Sequence, residues 1–366
     1  MTGHLVNSAD SHVVEPLDLW VQRLPAQLKD RAPRIAEVDG EPRLLVEGMV
    51  PRRMGGGGSG ETDQPERERA GDSHFRAGAW DPDQRIVDLD EDGVWGEVLY
   101  PTIALFGFMI PDPELRWASC RAYNDWLAET FAAQSQRFAG AAMVAVQEIE
   151  PAVAEIQRVA ALGLRSIMLP MQAPDGRPYN SSEYDPVWAA AQAHGMPVSF
   201  HVGTGSHPVT ERGLGGAVIN YVEVGLGAQR TLGYLAASGV LERFPDLHVV
   251  MVECGAGWLA WLLERMDEAF EEHQQWVQPK LAEPPSFYVR RQGHVTFGND
   301  AAGVINRGFT GIESLLWASD YPHPEGTWPH TQDTLERIFA GVPAPERERV
   351  TYSTTARLYG LQAPAA

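Results

Sequence analysis

Short, almost wholly apolar runs return along this chain at regular intervals. They are "VWGEVLY" (94–100), "FAGAAMVAV" (138–146), "LRSIML" (164–169), "PVSFHV" (197–202), "LHVVMV" (247–252), "HVTFGN" (294–299) and "SLLWAS" (314–319). With an opening strand around Leu5 and Val6 they make about eight. Strands that are apolar throughout belong to parallel sheets covered on both faces. Helical spacing fills most of the gaps, as in 113–136, 185–195 and 257–276. The segment "EPAVAEIQRVAALG" has Pro151 just inside its start and Gly163 at its end, the usual order of helix punctuation. Strand–helix alternation on this scale predicts an α/β fold, a (β/α)8 TIM barrel formed as one domain over 1–366. An open doubly wound sheet is the runner-up, but no glycine-rich nucleotide fingerprint follows the first strand.

One stretch breaks the alternation. Residues 25–92 include "GMVPRRMGGGGSGETDQPERERAG", rich in glycine and charge and without periodicity. It reads as an insertion after the first strand, either a lid over the barrel mouth or a plain surface excursion. Composition narrows the partners. Asp and Glu number 49 against 29 Lys and Arg, a net charge of -20, which opposes nucleic-acid binding. The two cysteines form no zinc motif. No apolar run approaches the roughly 20 residues of a membrane span, and the first residues carry no signal-peptide core. A cytoplasmic protein is expected.

In a barrel of this kind, chemistry sits at the C-terminal ends of the strands. The first strand ends in "DSHVVEP", with Asp10, His12 and Glu15; Asp10 and His12 are two apart and share a face. The fifth ends at His201, the sixth at Glu253, and the eighth runs into "SDYPHPEG", with Asp320 and His323. Metal-ligand residue types at four strand ends point to a metal centre. Several roles stay open. Glu15 either binds metal or caps the next segment, Glu253 either ligates or orients a ligand, and His323 either ligates or moves protons. His330 and His273 read as peripheral, and Cys254 as core. His207 and "ERGLGGAVIN" (211–220) are candidate substrate contacts. Trp95, Tyr100, Phe106 and Phe108 are candidates for an apolar substrate pocket.

The phrases "DSHVVEP", "FHVG", "SDYPHPEG" and the terminal "TTARLYGL", in that order, resemble the amidohydrolase-related family. The branch concerned also contains aminocarboxymuconate-semialdehyde decarboxylase-like enzymes. The resemblance implies a divalent metal held by Asp10, His12, His201 and Asp320, and a hydrolysis or non-oxidative decarboxylation. Two positions depart from the common pattern: Asp10 and Glu253 stand where histidine is usual. Carboxylates can bridge two metals and favour harder ions. In this the chain is similar to a branch of non-heme di-iron monooxygenases from diterpenoid biosynthesis.

The leading expectation is therefore an O₂-dependent hydroxylation of a sizeable organic acid or its thioester. It would use two iron ions and an external electron donor, with Asp320 and His323 as catalytic groups. The alternative is a metal-dependent hydrolase or decarboxylase of a small organic acid, with one zinc or manganese ion. A non-catalytic binding barrel is the third reading. A small-molecule substrate is the expected partner, and a homodimer is an assembly open to the chain.

Overall fold

The computed structural model describes residues 5–53, 76–174, 176–205 and 213–363. The opening strand, β1 (Val6–Val13), is buried along its whole length. Seven more parallel strands follow it in sequence order: β2 (Val94–Pro101), β3 (Phe138–Met143), β4 (Ser166–Pro170), β5 (Val198–His201), β6 (Val249–Val252), β7 (Gly293–Phe297) and β8 (Leu315–Trp317). Each apolar run of the sequence is thus one strand, hydrogen-bonded to its predecessor. Closure comes just beyond β8: Asp320 N donates to Asp10 O (3.0 Å) and His12 N to Tyr321 O (2.6 Å). The eight strands form a nearly closed (β/α)8 barrel.

The helices between the strands bury their apolar sides outward of the sheet. In Ile149–Ala161, for example, Ala152, Ile156 and Val159 are fully covered. Burying Ile156 or Val159 stabilises the fold by about 1.5–3 kcal/mol each. The helix ends at Gly163, whose φ of 88° lies in the left-handed region that favours glycine.

The insertion has more regular structure than its sequence shows. Arg34–Val38, Glu41–Leu45 and Arg52–Arg53 form a small antiparallel sheet. Its first turn is Asp39-Gly40, with φ of 55° and 79°, the two left-handed residues of a tight hairpin. Pro82–Asp92 is a helix capped by Asp81 that leads directly into β2. The "GGGGSG" tract, on which the lid reading rests, lies outside the described residues. No helix among the described residues is long and apolar enough to cross a membrane.

Candidate metal centre

The end of β1 is locally irregular. Between Ser8 and Ser11 it takes three steps where β2 takes two, from Glu97 to Leu99. Such a bulge re-aims a side chain, and Asp10 sits inside it. Asp10 and His12 are both buried, with Asp10 Oδ1 3.6 Å from His12 Nε2. The His12 ring is fixed from behind: Nδ1 donates to Pro101 O at 2.8 Å, which leaves Nε2 as a bare acceptor. His201, at the end of β5, repeats the arrangement with Nδ1 donating to Val202 O at 3.0 Å. The two Nε2 atoms face each other at 3.2 Å.

Glu253 follows β6 and brings Oε2 to 3.5 Å from His201 Nε2 and 3.9 Å from His12 Nε2. Asp320 places Oδ1 3.6 Å from His12 Nε2 and 3.1 Å from His323 Nδ1. Both carboxylate residues are left-handed, with φ of 59° at Glu253 and 57° at Asp320. For side chains larger than glycine that conformation costs about 1–3 kcal/mol and tends to mark functional turns. Gly326 lets the "SDYPHPEG" loop fold on itself. A Cβ there would lie 2.6 Å from Ser319 O and 3.0 Å from Asp320 O.

This is a set of acceptors in search of a cation. One ligand atom each of Asp10, His12, His201 and Glu253 lies within 4.8 Å of every other, and Asp320 and His323 join through His12. Asp10 Oδ1 is buried and accepts no hydrogen bond. Buried acceptors are almost always satisfied, so an ion fits here. Proton affinities point the same way. Burial, with the charges of His323 and His201, holds His12 well below the usual histidine range. Burial opposes charge on His201 as well, but Asp10 and Glu253 outweigh it and push the ring up to about 9. Burial and the neighbouring Asp320 push Glu253 up to about 8. Asp320 rises to about 6, again chiefly by burial, partly offset by His323. Burial likewise opposes charge on His323, but the Asp320 hydrogen bond outweighs it and raises that ring. Without metal, protons occupy the space among these lone pairs.

The structure does not bring Glu15 into the cluster. Its carboxylate is buried and accepts from Ile103 N (2.8 Å) and Ala104 N (3.0 Å), tying down the loop after β2. Burial pushes it up to about 7. Trp95 lies at the start of β2, the opposite end of the barrel, and donates to Gln362 O. Phe106 packs on Trp20, and Phe108 is buried in the core. Tyr100 lies under the site, its ring 5.1 Å from that of His201, with its hydroxyl bonded to Ser199. His273 and His330 are exposed, Cys254 is buried, and His207 is outside the described residues. A cavity of about 500 Å³ opens beside Gln172, Tyr179 and Arg230, but none of the clustered acceptors lines it.

Sequence reasoning missed the residues that hold the ligands in place. Thr296 Oγ1, on β7, accepts the Glu253 N–H at 2.8 Å. Asp300 Oδ2 accepts from Ala256 N and Gly257 N at 2.7 and 2.8 Å, clamping the same turn. Arg85 is fully buried, paired with Glu97 at 2.5 Å, and donates to His12 O at 2.8 Å. Only Asp300 carried a signal, as an Asp directly before "AAGVI", a helix cap.

A family model described as amidohydrolase matches residues 61–361. The chain belongs to the amidohydrolase family. It is 31% identical over 219 residues to decarboxylase orsB of Emericella nidulans, covering 56% of this chain and 65% of that protein's length. It is 23% identical over 307 residues to gamma-resorcylate decarboxylase of Polaromonas sp., covering 76% and 87%. Among solved structures, amidohydrolase map2389c from Mycobacterium avium subsp. paratuberculosis superposes with a TM-score of 0.76 at 20% identity, over 97% and 99% of the two chains. 5-Carboxyvanillate decarboxylase LigW from Sphingomonas paucimobilis gives 0.63 at 26% identity, over 76% and 83%. A Polaromonas dihydroxybenzoic acid decarboxylase with bound manganese gives 0.62 at 17% identity, over 97% of each chain.

These relatives overturn the leading expectation. The curated relatives named above and the carboxyvanillate enzyme are decarboxylases, which overturns the non-heme di-iron monooxygenase reading and leaves O₂ and an external electron donor without support. Asp10 and Glu253 converge with His12 and His201, and Asp320 and His323 form further groups that share His12 or Glu253 with them.

Proposed function

We propose that this protein is a metal-dependent, non-oxidative decarboxylase of a hydroxylated aromatic acid. The observation that carries the reading is the acceptor-only cluster with its orphaned Asp10 Oδ1. The decarboxylase relatives, whose names include resorcylate and carboxyvanillate, supply the substrate class. Asp10, His12, His201, Glu253 and Asp320 would hold one divalent ion. Mixed imidazole and carboxylate ligands suit manganese or zinc, and manganese is what the Polaromonas relative binds. Such an ion would supply positive charge beside the substrate's carboxylate.

The chain's own residues do the rest. Asp10, His12 and His201 are almost fully buried, so they stay rigid and exclude water from one side. Glu253, Asp320 and His323 are partly exposed, at 29%, 14% and 16%, and face the entry. Loss of CO₂ leaves an electron pair on the ring carbon, which must take up one proton. His323 Nδ1 lies 3.1 Å from Asp320 Oδ1, and that carboxylate raises the ring's proton affinity, so His323 would deliver the proton.

Turnover of dihydroxybenzoates in ²H₂O tests the reading. The product should carry one deuterium at the carbon that lost the carboxylate, by mass spectrometry. A product that keeps the carboxylate and gains a hydroxyl or loses an amide or ester would refute it.

A further inference from the structure

The barrel is zipped strand to strand from β1 to β8, but among the described residues no backbone ladder joins β8 back to β1. Serine hydroxyls bind across that seam. Ser8 and Ser11 on β1 and Ser319 just beyond β8 are all buried. The Ser11 and Ser319 hydroxyl oxygens lie 2.9 and 3.0 Å from Ser8 Oγ and 3.1 Å from each other. Buried hydroxyls need partners, and these also reach the main chain. Ser8 Oγ donates to Asp10 O at 2.7 Å and accepts the Ser319 N–H at 2.8 Å. Ser319 Oγ accepts the Tyr321 N–H at 3.3 Å. Both strand ends that Ser8 touches carry a carboxylate of the metal cluster. Asp10 sits in the β1 bulge between Ser8 and Ser11. Asp320 has φ 57°, and its N–H donates to the same Asp10 O at 3.0 Å. The amides on either side of Asp320 thus go to serine hydroxyls, and Asp10 O takes one donor from each strand end. A bulge and a left-handed residue have no repeating ladder to fix them, so side-chain hydroxyls do that work.

We infer that Ser8 is a positioning residue for the metal centre: its hydroxyl sets where Asp10 and Asp320 together present their carboxylates. It acts through the main chain of both strand ends, and the inference rests on the metal reading proposed above. Alanine at 8 removes the Asp10 O donor and the Ser319 N–H acceptor at once. The β1 bulge and the Asp320 turn then lose the one side chain bonded to both. Alanine at 319 removes the acceptor of the Tyr321 N–H but keeps the two main-chain bonds of Ser8, so its effect on the carboxylates is smaller.

Mn²⁺ affinity and amide hydrogen exchange of the full chain test the inference, with Ser166→Ala as the control. Ser166 is also a fully buried serine, at the opposite end of the barrel, and donates to Pro197 O at 2.9 Å. Ser8→Ala should lower Mn²⁺ affinity about 10–100-fold in competition with a chelating dye. Ser319→Ala should lower it less, and Ser166→Ala should match the wild type even where its melting temperature falls. In metal-stripped protein the amides of 319–321 should exchange about tenfold faster in Ser8→Ala than in Ser166→Ala. If Ser8→Ala does not fold, Ser319→Ala decides by the same comparison: a loss of affinity that Ser166→Ala lacks supports the inference, and wild-type affinity overturns it. Wild-type Mn²⁺ affinity in a folded Ser8→Ala, an equal loss in Ser166→Ala, or unchanged exchange at 319–321 also overturns it and leaves the metal reading standing. A wild type without Mn²⁺ affinity sinks the metal reading and this inference with it, so the two failures are told apart.

Discussion

Thr296→Val removes one oxygen and almost no volume. Thr296 is fully buried on β7, and its Oγ1 accepts the Glu253 N–H at 2.8 Å. Valine fills the same space, so no cavity term enters. What remains is a buried N–H without an acceptor, worth about 1–3 kcal/mol. That bond helps hold Glu253 at φ 59°, a conformation with its own cost of about 1–3 kcal/mol. Once released, the turn relaxes and Glu253 Oε2 leaves the two imidazoles. Urea unfolding should therefore show a loss of about 1–3 kcal/mol, and competition titration with a chelating dye should show Mn²⁺ affinity reduced about 10–100-fold. Thr296→Ser keeps the hydroxyl and should restore most of the affinity. Metal affinity at the wild-type level in Thr296→Val would show that the Glu253 turn does not depend on this bond.

Asp92 should make stability depend on pH in the sense opposite to an ion-paired carboxylate. Burial raises it from 3.8 to about 6, so the folded state holds a proton that the unfolded chain has lost, and stability falls as pH rises through that window. Asp92→Asn keeps an acceptor for Thr331 N and should stabilise the protein by ~1–3 kcal/mol at pH 7.5 but not near pH 3.5, read by urea midpoints. Arg85→Met strands the Glu97 carboxylate in the barrel and should cost about 3–5 kcal/mol in the same assay, with partial recovery when Glu97→Gln is added. His323→Gln should leave Mn²⁺ affinity within a few-fold of wild type while kcat falls about 10²–10⁴-fold; equal losses in both would assign His323 to holding the metal.

The barrel was legible because burial on both faces writes itself into a strand as an unbroken apolar run, and each such run became one strand of the sheet. Asp10, His12, His201, Glu253, Asp320 and His323 were legible for a related reason: position at a strand end fixes which way a residue faces. Glu15 shows where that logic stops. It lies just past β1, and its partners are backbone amides at 103 and 104, which no residue type announces. Thr296 and Arg85 were hidden because their acceptor and donor roles depend on neighbouring strands coming into register. Trp95 failed through direction: it belongs to the same strand as Tyr100 but to the opposite end. The reaction itself was misread from ligand chemistry. Two carboxylates replacing histidines suit one harder ion as well as a bridged pair, so ligand type leaves the reaction open, and it was the decarboxylase relatives that decided against the oxygenase reading.

Anaerobic CO₂ release measured against added Mn²⁺ tests the one-metal decarboxylase reading most directly. Metal-stripped protein is titrated with Mn²⁺ in the presence of a saturating dihydroxybenzoate under argon. The account predicts no release without metal, then a linear rise that saturates at about one ion per chain. Release that needs O₂, that saturates only at two ions, or that proceeds in the stripped protein would contradict it.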